Sequence, residues 1–375
     1  MKQIRLWMIA AILSCGMVPV MAQDAPEEFS VATLNVDGLP HKLLVVKINP
    51  DGPGDGGSAR IGKYLLQKNY DLMFLQEDFN FHSVISVFLE DDYMMDEWSG
   101  DVEVEGHSID YLHLQNHRFE CDGLMTCWKN DLTVTPAPRV PWQQNFGKFS
   151  HANDEIITKG FRRYEVTLRD GTRIVCYNIH MDATDDWDEE NQNDAKDKAA
   201  RMAQLAQLKA DVMSQLDIRP IIILGDLNSF YGRDALKTEF IDAINDSGLG
   251  TISDVWVELQ NGGNYPTDKA QGEEAGEMLD KILYINPATG GKIQPIAFTV
   301  DKEGYTYDEK PLGDHYPLAA TFQVTAKTTG INAVVNEQPA ANSEYFNLKG
   351  QRITKPQGGI YIERQGDKAN KRIIK

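Results

Sequence analysis

Apolar residues in this chain gather in short continuous runs, and nearly every run ends in Asn, Gln, Glu, Asp or His. The runs are Phe29-Ser30-Val31-Ala32-Thr33-Leu34, Asp71-Leu72-Met73-Phe74-Leu75, Thr172-Arg173-Ile174-Val175-Cys176-Tyr177, Pro220-Ile221-Ile222-Ile223-Leu224 and Lys281-Ile282-Leu283-Tyr284-Ile285. Runs so short and so uniformly apolar predict strands buried on both faces of a layered α/β structure. Helical spacing alternates with them. Arg60 to Gln67 predicts a helix with Ile61, Leu65 and Leu66 on one side. Asp194 to Gln215 predicts the clearest helix: Ala199, Met202, Leu205, Ala206 and Met213 recur at helical spacing, and Pro220 follows. Gly, Asp and Pro crowd positions 51–57 and predict a loop near one mouth of the layers. The acidic segment 182–193 predicts another.

The two ends differ from this body. Lys2 and Arg5, the apolar stretch Leu6 to Val18 and the small-residue site Val20-Met21-Ala22 predict a leader, residues 1–22, cleaved after Ala22. The apolar stretch is shorter than the ~20 residues of a spanning helix. A secreted, periplasmic or cell-surface location follows, with a poor lipobox at Ile12-Leu13-Ser14-Cys15 leaving a lipidated Cys15 as the alternative. Residues 27–324 predict one large catalytic domain, a two-sheet sandwich in size. The small polar stretch 325–343 predicts a linker, and 344–375 a small β-rich segment without catalytic residue types. Cys121 and Cys127 bracket five residues and could pair in an oxidising compartment, whereas Cys176, inside an apolar strand, predicts a buried free thiol.

Charge narrows the function classes. The whole chain carries −19, and loss of Lys2 and Arg5 with the leader makes it −21. From Ile331 onward eight Lys/Arg face four Asp/Glu, so residues 23–330 stand near −25. Proteins that grip nucleic acid do so through a basic footprint, and the chain has none of the required charge to spare.

The polar ends of the runs carry the chemistry. Glu77 closes an apolar strand where a carboxylate has no packing role, and Asn35 closes another. Asp226 and Asn228 follow Leu224-Gly225, so two oxygen-bearing side chains stand two positions apart and face the same way. His180 and Asp182 share that spacing. Asp314-His315 sets a carboxylate beside an imidazole, which on one strand would face opposite sides; they serve different partners or sit in a loop. Asn, Glu, Asp and His at strand ends suit a hard divalent cation and a phosphate ester.

These motifs resemble the endonuclease/exonuclease/phosphatase superfamily from Phe29 to Phe322, in the expected order, with Gly225-Asp226-Leu227-Asn228 and Asp314-His315 as the most specific marks. The resemblance implies a four-layer α/β/β/α sandwich of the deoxyribonuclease-I-like kind with a small β-rich C-terminal tail. It implies Mg²⁺, with Mn²⁺ or Ca²⁺ as substitutes, held by Asn35 and Glu77 with Asp314 nearby. His180 would stabilise or protonate at the phosphate, Asn228 orient it, and Asp226 align the attacking water. Asp280 would hold His315 in the tautomer of a general base. Two positions depart from the family. Many of its nucleases carry Arg shortly after the metal-binding Glu, where this chain has Asp78-Phe79-Asn80-Phe81-His82, and the Ser commonly found before Asp-His is Gly313 here.

Within the superfamily, Leu75-Gln76-Glu77-Asp78-Phe79, Lys159-Gly160-Phe161 and Asn178-Ile179-His180-Met181-Asp182-Ala183 are similar to the secreted sphingomyelinase-like branch, and the tail resembles C-terminal segments of secreted Bacteroidetes proteins. This implies a metal-dependent phosphodiesterase acting on a phospholipid head group, sphingomyelin first, with peripheral membrane contact and no stable protein partner. Trp142, Phe146, Trp187 and Trp256 are either apolar lipid contacts or core aromatics. A secreted nuclease, or a phosphatase on soluble sugar or inositol phosphates, would use the same residues and remains the alternative.

Overall fold

The computed structural model describes residues 26–43, 46–101, 121–147, 154–155, 157–184, 195–327, 344–347, 351–353, 359–365 and 368–374. The leader, Trp187 and most of the expected linker lie outside these residues.

Alternate residues of each apolar run bury against different partners, and this parity generates the layers. In β1 (Glu28–Asn35), Phe29 and Val31 join a cluster between two sheets, while Ala32 and Leu34 join one beneath a helix. That helix is α1 (Gly54–Lys68), which leads to β2 (Leu72–Gln76). Leu72 and Phe74 point between the sheets, Met73 and Leu75 at the helix side. Next come β3 (Tyr93–Met95), β4 (Met125–Lys129), β5 (Thr133–Pro141), β6 (Gly160–Thr167) and β7 (Arg173–His180). Helix α2 (Ala195–Gln215) precedes β8 (Ile221–Asp226), and β9 (Gly250–Asp254), β10 (Asp280–Pro287), β11 (Lys292–Val300) and β12 (Leu318–Ala326) follow.

Two six-stranded sheets result, ordered β11-β12-β1-β2-β4-β3 and β9-β10-β8-β7-β6-β5. In each, one parallel pair (β1 with β2, β7 with β8) has its connection spanned by a helix, and antiparallel strands flank it. A parallel pair needs such a crossover because no hairpin can close it. Val175, Tyr177 and Ile179 of β7 pack with Leu205, Leu208 and Val212 of α2, whereas Ile174 and Cys176 face the other sheet. Three apolar clusters thus fill three interfaces of a helix–sheet–sheet–helix stack. A separate four-stranded sheet in the tail is formed by 344–346, 352–353, 359–365 and 368–374. Among the described residues no helix is long and apolar enough to cross a membrane.

Three expectations are corrected. Helix α1 begins at Gly54, not Arg60, so the glycine-rich stretch is partly helical. Farther along it, Gly62 lets the helix pack closely on residues 85–88, since a Cβ there would meet Ile85 O at 2.9 Å and Phe88 at 2.7 Å. The buried stripe of α2 is Asp197, Ala200, Arg201, Gln204, Leu205, Leu208 and Val212, leaving Ala199 and Ala206 exposed. Arg201 and Gln204 are inside because the active end of the sheet offers them polar partners, which apolar spacing cannot reveal. Cys121 and Cys127 form no disulfide and are buried thiols like Cys176. Cys127 lies in β4 between Met73 and Met95 as strand partners, in the helix-side layer, where packing rather than pairing uses it.

Gly225 is the tightest point of the second sheet. Its φ is 144°, and a Cβ would stand 2.0 Å from Ile179 O of β7. Gly225→Ala should therefore destabilise the protein by about 3 kcal/mol or more, from backbone strain plus overpacking. Chemical denaturation reads this directly; a loss below ~1 kcal/mol would mean that β7 and β8 can separate freely.

Candidate active site

The parity that builds the layers also points the polar strand ends inward. Asn35, Gln76, Asn178, His180, Asp226 and Asp280 each continue the inter-sheet face of their strand, at the end where that layer opens. Register then brings them together. Asp226 pairs with His180 across β8–β7 and with Asp280 across β8–β10, so the three occupy one row on adjacent strands. Gln76 and Asn178 bridge the sheets just below. Gln76 Nε2 donates to Asn178 Oδ1 at 2.7 Å, and Asn178 Nδ2 donates to Leu75 O and Met125 O at 3.0 Å. Both are fully buried, where an unpaired amide would be costly, so this bracket sets the spacing between the sheets.

Across the bracket, Asn35 Nδ2 donates to Glu77 Oε1 (2.9 Å) and Asp226 Oδ2 (3.2 Å), while its Oδ1 accepts the Asp37 N–H at 3.0 Å. That backbone donor fixes which way the amide points, and Oδ1 keeps a second lone pair. Glu77 has φ 53°, a left-handed turn that swings its carboxylate off the strand line. Glycines make the room: a Cβ on Gly38 would lie 2.2 Å from Glu77 O, and one on Gly123 would lie 3.1 Å from Glu77 Cα. Asn228, at φ 47°, donates through Nδ2 to Met181 O (3.0 Å), and its N–H reaches Asp226 Oδ1 (2.9 Å). Arg233 donates to Asn228 O and pairs with Asp234, which also accepts two bonds from buried Arg201.

The two histidines are opposite in character. His315 Nδ1 bonds Asp280 Oδ2 at 2.7 Å, and its Nε2 stands 3.6 Å from Asp226 Oδ2. Burial opposes its charge, but the flanking Asp280 and Asp226 carboxylates outweigh burial and hold it well above the usual histidine range. His180 is buried with both ring nitrogens unpartnered. Its Nε2 lies 3.6 Å from Asp226 Oδ2 and 3.8 Å from Glu77 Oε1. Burial, then the Lys159 ammonium, push it far below the usual range, so it is a neutral donor. Asp226 is held below the usual carboxylate range despite burial, chiefly by the facing His315 and also by the Lys159 ammonium.

Asp314 lies exposed at the rim, in the loop between β11 and β12, beside His315 as the sequence requires. All eight residues expected from the resemblance are accounted for: seven line or border this pocket end, and Asp314 acts on it electrostatically. Three further participants have no role in the sequence reading, although Lys159 and Asp182 fall within its motifs. Asp37 is buried beside Asn35 and accepts from Asn49 Nδ2. Lys159 is buried, pairs with Asp154 at 2.5 Å and donates to Met181 O at 3.3 Å. Asp182 is buried and accepts the Phe146 N–H at 2.8 Å. An Asp before Gly reads as a turn and a Lys before a strand as a solvated end; only burial separates them from those ordinary roles. Trp142 and Trp256 are core aromatics, and Phe146 is half-buried at the surface.

The carboxylates fit a hard divalent cation. Burial, then Asp314, raise Glu77 to about 7; burial, then Asp314 and Glu77, raise Asp37 to about 8. Such surplus negative charge, all on oxygen donors, is what Mg²⁺ takes. Asp226, Asp280 and His315 also lie close enough to enclose an ion. There, however, both imidazole nitrogens already face carboxylates, which is the arrangement of an oriented base.

No family model matches the chain, and no curated protein matches it. Solved structures do. The human Nocturnin catalytic domain superposes with a TM-score of 0.51 at 13% identity, over 81% of this chain and 97% of that one. The humanized D. rerio TDP2 gives 0.50 at 17% identity, over 79% of this chain and 98% of that one. Truncated Caenorhabditis elegans TDP2 gives 0.50 at 15%, over 79% and 97%. The chain has the deoxyribonuclease-I-like fold. Its active end coincides with the opening of the inter-sheet layer, so this fold's construction from two inward-facing sheets is what gathers the site.

Two pH effects follow. In EDTA, Asp37 and Glu77 keep protons in the folded chain above the pH at which they ionise when unfolded. The folded state thus binds the extra protons, and stability should decline as pH rises from about 4 toward 8. Saturating Mg²⁺ should flatten or reverse that decline in a melting-temperature series; an identical slope would mean that no cation meets these carboxyls. Asp280→Asn removes the charge that best supports protonated His315. Its pKa should fall, and the acid limb of kcat/KM should move to lower pH while the maximal rate drops.

Proposed function

We propose that this protein is an exported, Mg²⁺-dependent phosphodiesterase that hydrolyses a phospholipid head group, sphingomyelin to ceramide and phosphocholine. The observation that carries the reaction class is the His315–Asp280 pair at 2.7 Å, on the row that also presents Asp226 and His180 and opposite Asn35 and Glu77. The substrate class is supported by the sequence: the acidic body disfavours nucleic acid, the Arg of many related nucleases is replaced, and the Gln76-Glu77-Asp78-Phe79 and Lys159-Gly160-Phe161 motifs are similar to those of sphingomyelinases. A zwitterionic bilayer surface tolerates an acidic enzyme, whereas an anionic one repels it.

Each side chain then has a task. Glu77 and Asn35, with Asp37 and Asp314 at the rim, would hold the cation. A cation bound there would neutralise the phosphate oxygens and the surplus carboxylate charge around Glu77 and Asp37. His315 Nε2 takes the proton of a water that Asp226 aligns, Asp280 fixes Nδ1–H, and the water oxygen forms the new bond to phosphorus. The ceramide oxygen leaves as the opposite P–O bond breaks and takes a proton from solvent, while His315 returns the proton it accepted to solvent. Neutral His180, with no other partner for its ring, and the remaining N–H of Asn228 donate to the phosphate oxygens as charge develops there.

Sphingomyelin vesicles incubated with the mature protein should yield ceramide by mass spectrometry in Mg²⁺ and none above background in EDTA. Absence of ceramide together with Mg²⁺-dependent nicking of plasmid DNA would replace the lipid by nucleic acid; release of inorganic phosphate from sugar phosphates would make it a monoesterase. His315→Gln should cost about 10²–10⁴-fold in turnover with folding intact. Adding Asp280→Asn to it should cost little more, as for residues acting as one unit. Multiplying losses in the double variant would show that they act apart.

A further inference from the structure

The phenol of Tyr305 has no evident reason to be a phenol. Its ring is fully buried in the helix-side cluster and packs edge-on against Tyr64, with centroids 5.1 Å apart. Phenylalanine would serve that packing equally well. Yet the hydroxyl is buried without a hydrogen-bond partner, a state that costs roughly 1–3 kcal/mol. A hydroxyl kept at such cost finds its acceptor in another state of the molecule.

Its surroundings identify the acceptor. Asp37 and Asp314 are the two charged side chains that act on the Tyr305 hydroxyl. A Cβ built on Gly313 would stand 3.4 Å from that hydroxyl, 3.5 Å from Asp37 Cβ and 4.0 Å from Asp37 Oδ2. The phenol and Asp37 Oδ2 therefore border one small space at Gly313, the residue before Asp314. The other Asp37 oxygen, Oδ1, is already taken by Asn49 Nδ2, which leaves Oδ2 for this side. Tyr305 is also tied to the same loop by its carbonyl, which accepts the Leu312 N–H at 3.2 Å. Gly313 is the position where the family commonly has Ser; here that hydroxyl is missing and Tyr305 places one beside it.

We propose that Tyr305 is a positioning residue for the cation site, its hydroxyl donating to the Asp37–Asp314 carboxylates when they turn to hold a divalent cation. The assignment rests on the reading of the site given above. A bond from the phenol fixes a carboxylate that would otherwise swing between solvent and ion. It leaves the carboxylate charge intact because the phenol stays neutral.

Mg²⁺ titration of the metal-free full chain by calorimetry, with Mn²⁺ binding followed by electron paramagnetic resonance, tests it without reference to turnover. Tyr305→Phe should weaken affinity about 10- to 150-fold, the value of one hydrogen bond to a charged group. Its metal-free melting temperature should equal or exceed that of the wild type, since an unpaired hydroxyl is removed while the ring stays. Gly313→Ser added to Tyr305→Phe should recover much of the affinity by returning a hydroxyl to the same space. Wild-type affinity in Tyr305→Phe overturns the assignment and leaves the phosphodiesterase reading standing. A wild-type chain that binds no divalent cation overturns both. Weakened affinity accompanied by a lower metal-free melting temperature, with no recovery by Gly313→Ser, assigns the phenol to packing and overturns the proposal as well.

Discussion

The register of β8 against its two neighbours is the constraint on which everything else depends. Asp226 has His180 on one side and Asp280 on the other because the parallel and antiparallel ladders both run unbroken to that row. A slip of one residue on any of the three strands would turn its catalytic side chain out of the inter-sheet layer, because strand side chains alternate. The same slip would exchange the two packed faces of the strand, sending Ile222 and Leu224, or Ile174 and Cys176, or Ile282 and Tyr284, from the inter-sheet layer to the helix side. Core packing and site geometry thus share one register, and Gly225 permits it by letting β7 approach closely.

A second constraint is charge held out of water. Asp226, Asp280, His180 and Lys159 are all buried, and Glu77 and Asp37 nearly so. Isolated buried charges are costly, and this group survives because positive and negative members alternate: Lys159 beside Asp154, His315 between Asp280 and Asp226. The balance is not complete. Excess carboxylate remains around Glu77 and Asp37, a surplus that a divalent cation there would relieve. The unsatisfied ring nitrogens of His180 point to the same shortfall, this time of an acceptor such as a phosphate oxygen.

Backbone strain sits where the chemistry does. Asp37, Glu77 and Asn228 adopt left-handed conformations at the ends of their strands, each ordinarily costing of order 1–3 kcal/mol outside glycine. Each is over-determined by neighbours: Asn35 Oδ1 on the Asp37 N–H, Gly38 and Gly123 around Glu77, Arg233 and Met181 on Asn228. The rest of the molecule, with its three apolar clusters, supplies the stability from which these turns draw.

Much of this was legible in the residues alone. Short apolar runs ending in Asn35, Glu77, His180 and Asp226 announced strands buried on both faces with polar ends, because a carboxylate or imidazole there has no packing purpose. The spacing of Asp226 and Asn228 after a glycine, and the adjacency of Asp314 and His315, raised the expectation of phosphoester hydrolysis that the proposed function adopts. Local pattern could not disclose which distant ends meet, since Asn35 touches Asp226 and Asp280 touches His315 only through strand order and sheet stacking. Nor could it tell Asp37 from a turn residue or show that Lys159 is buried, assign Arg201 and Gln204 to the inner face of α2, or leave Cys121 and Cys127 without a disulfide. Those outcomes depend on burial and on the electric field of neighbours far away in sequence. Periodicity is a property of the chain, whereas the surroundings of each polar group belong to the packed molecule, and they decide whether a side chain is a solvated end or part of a site.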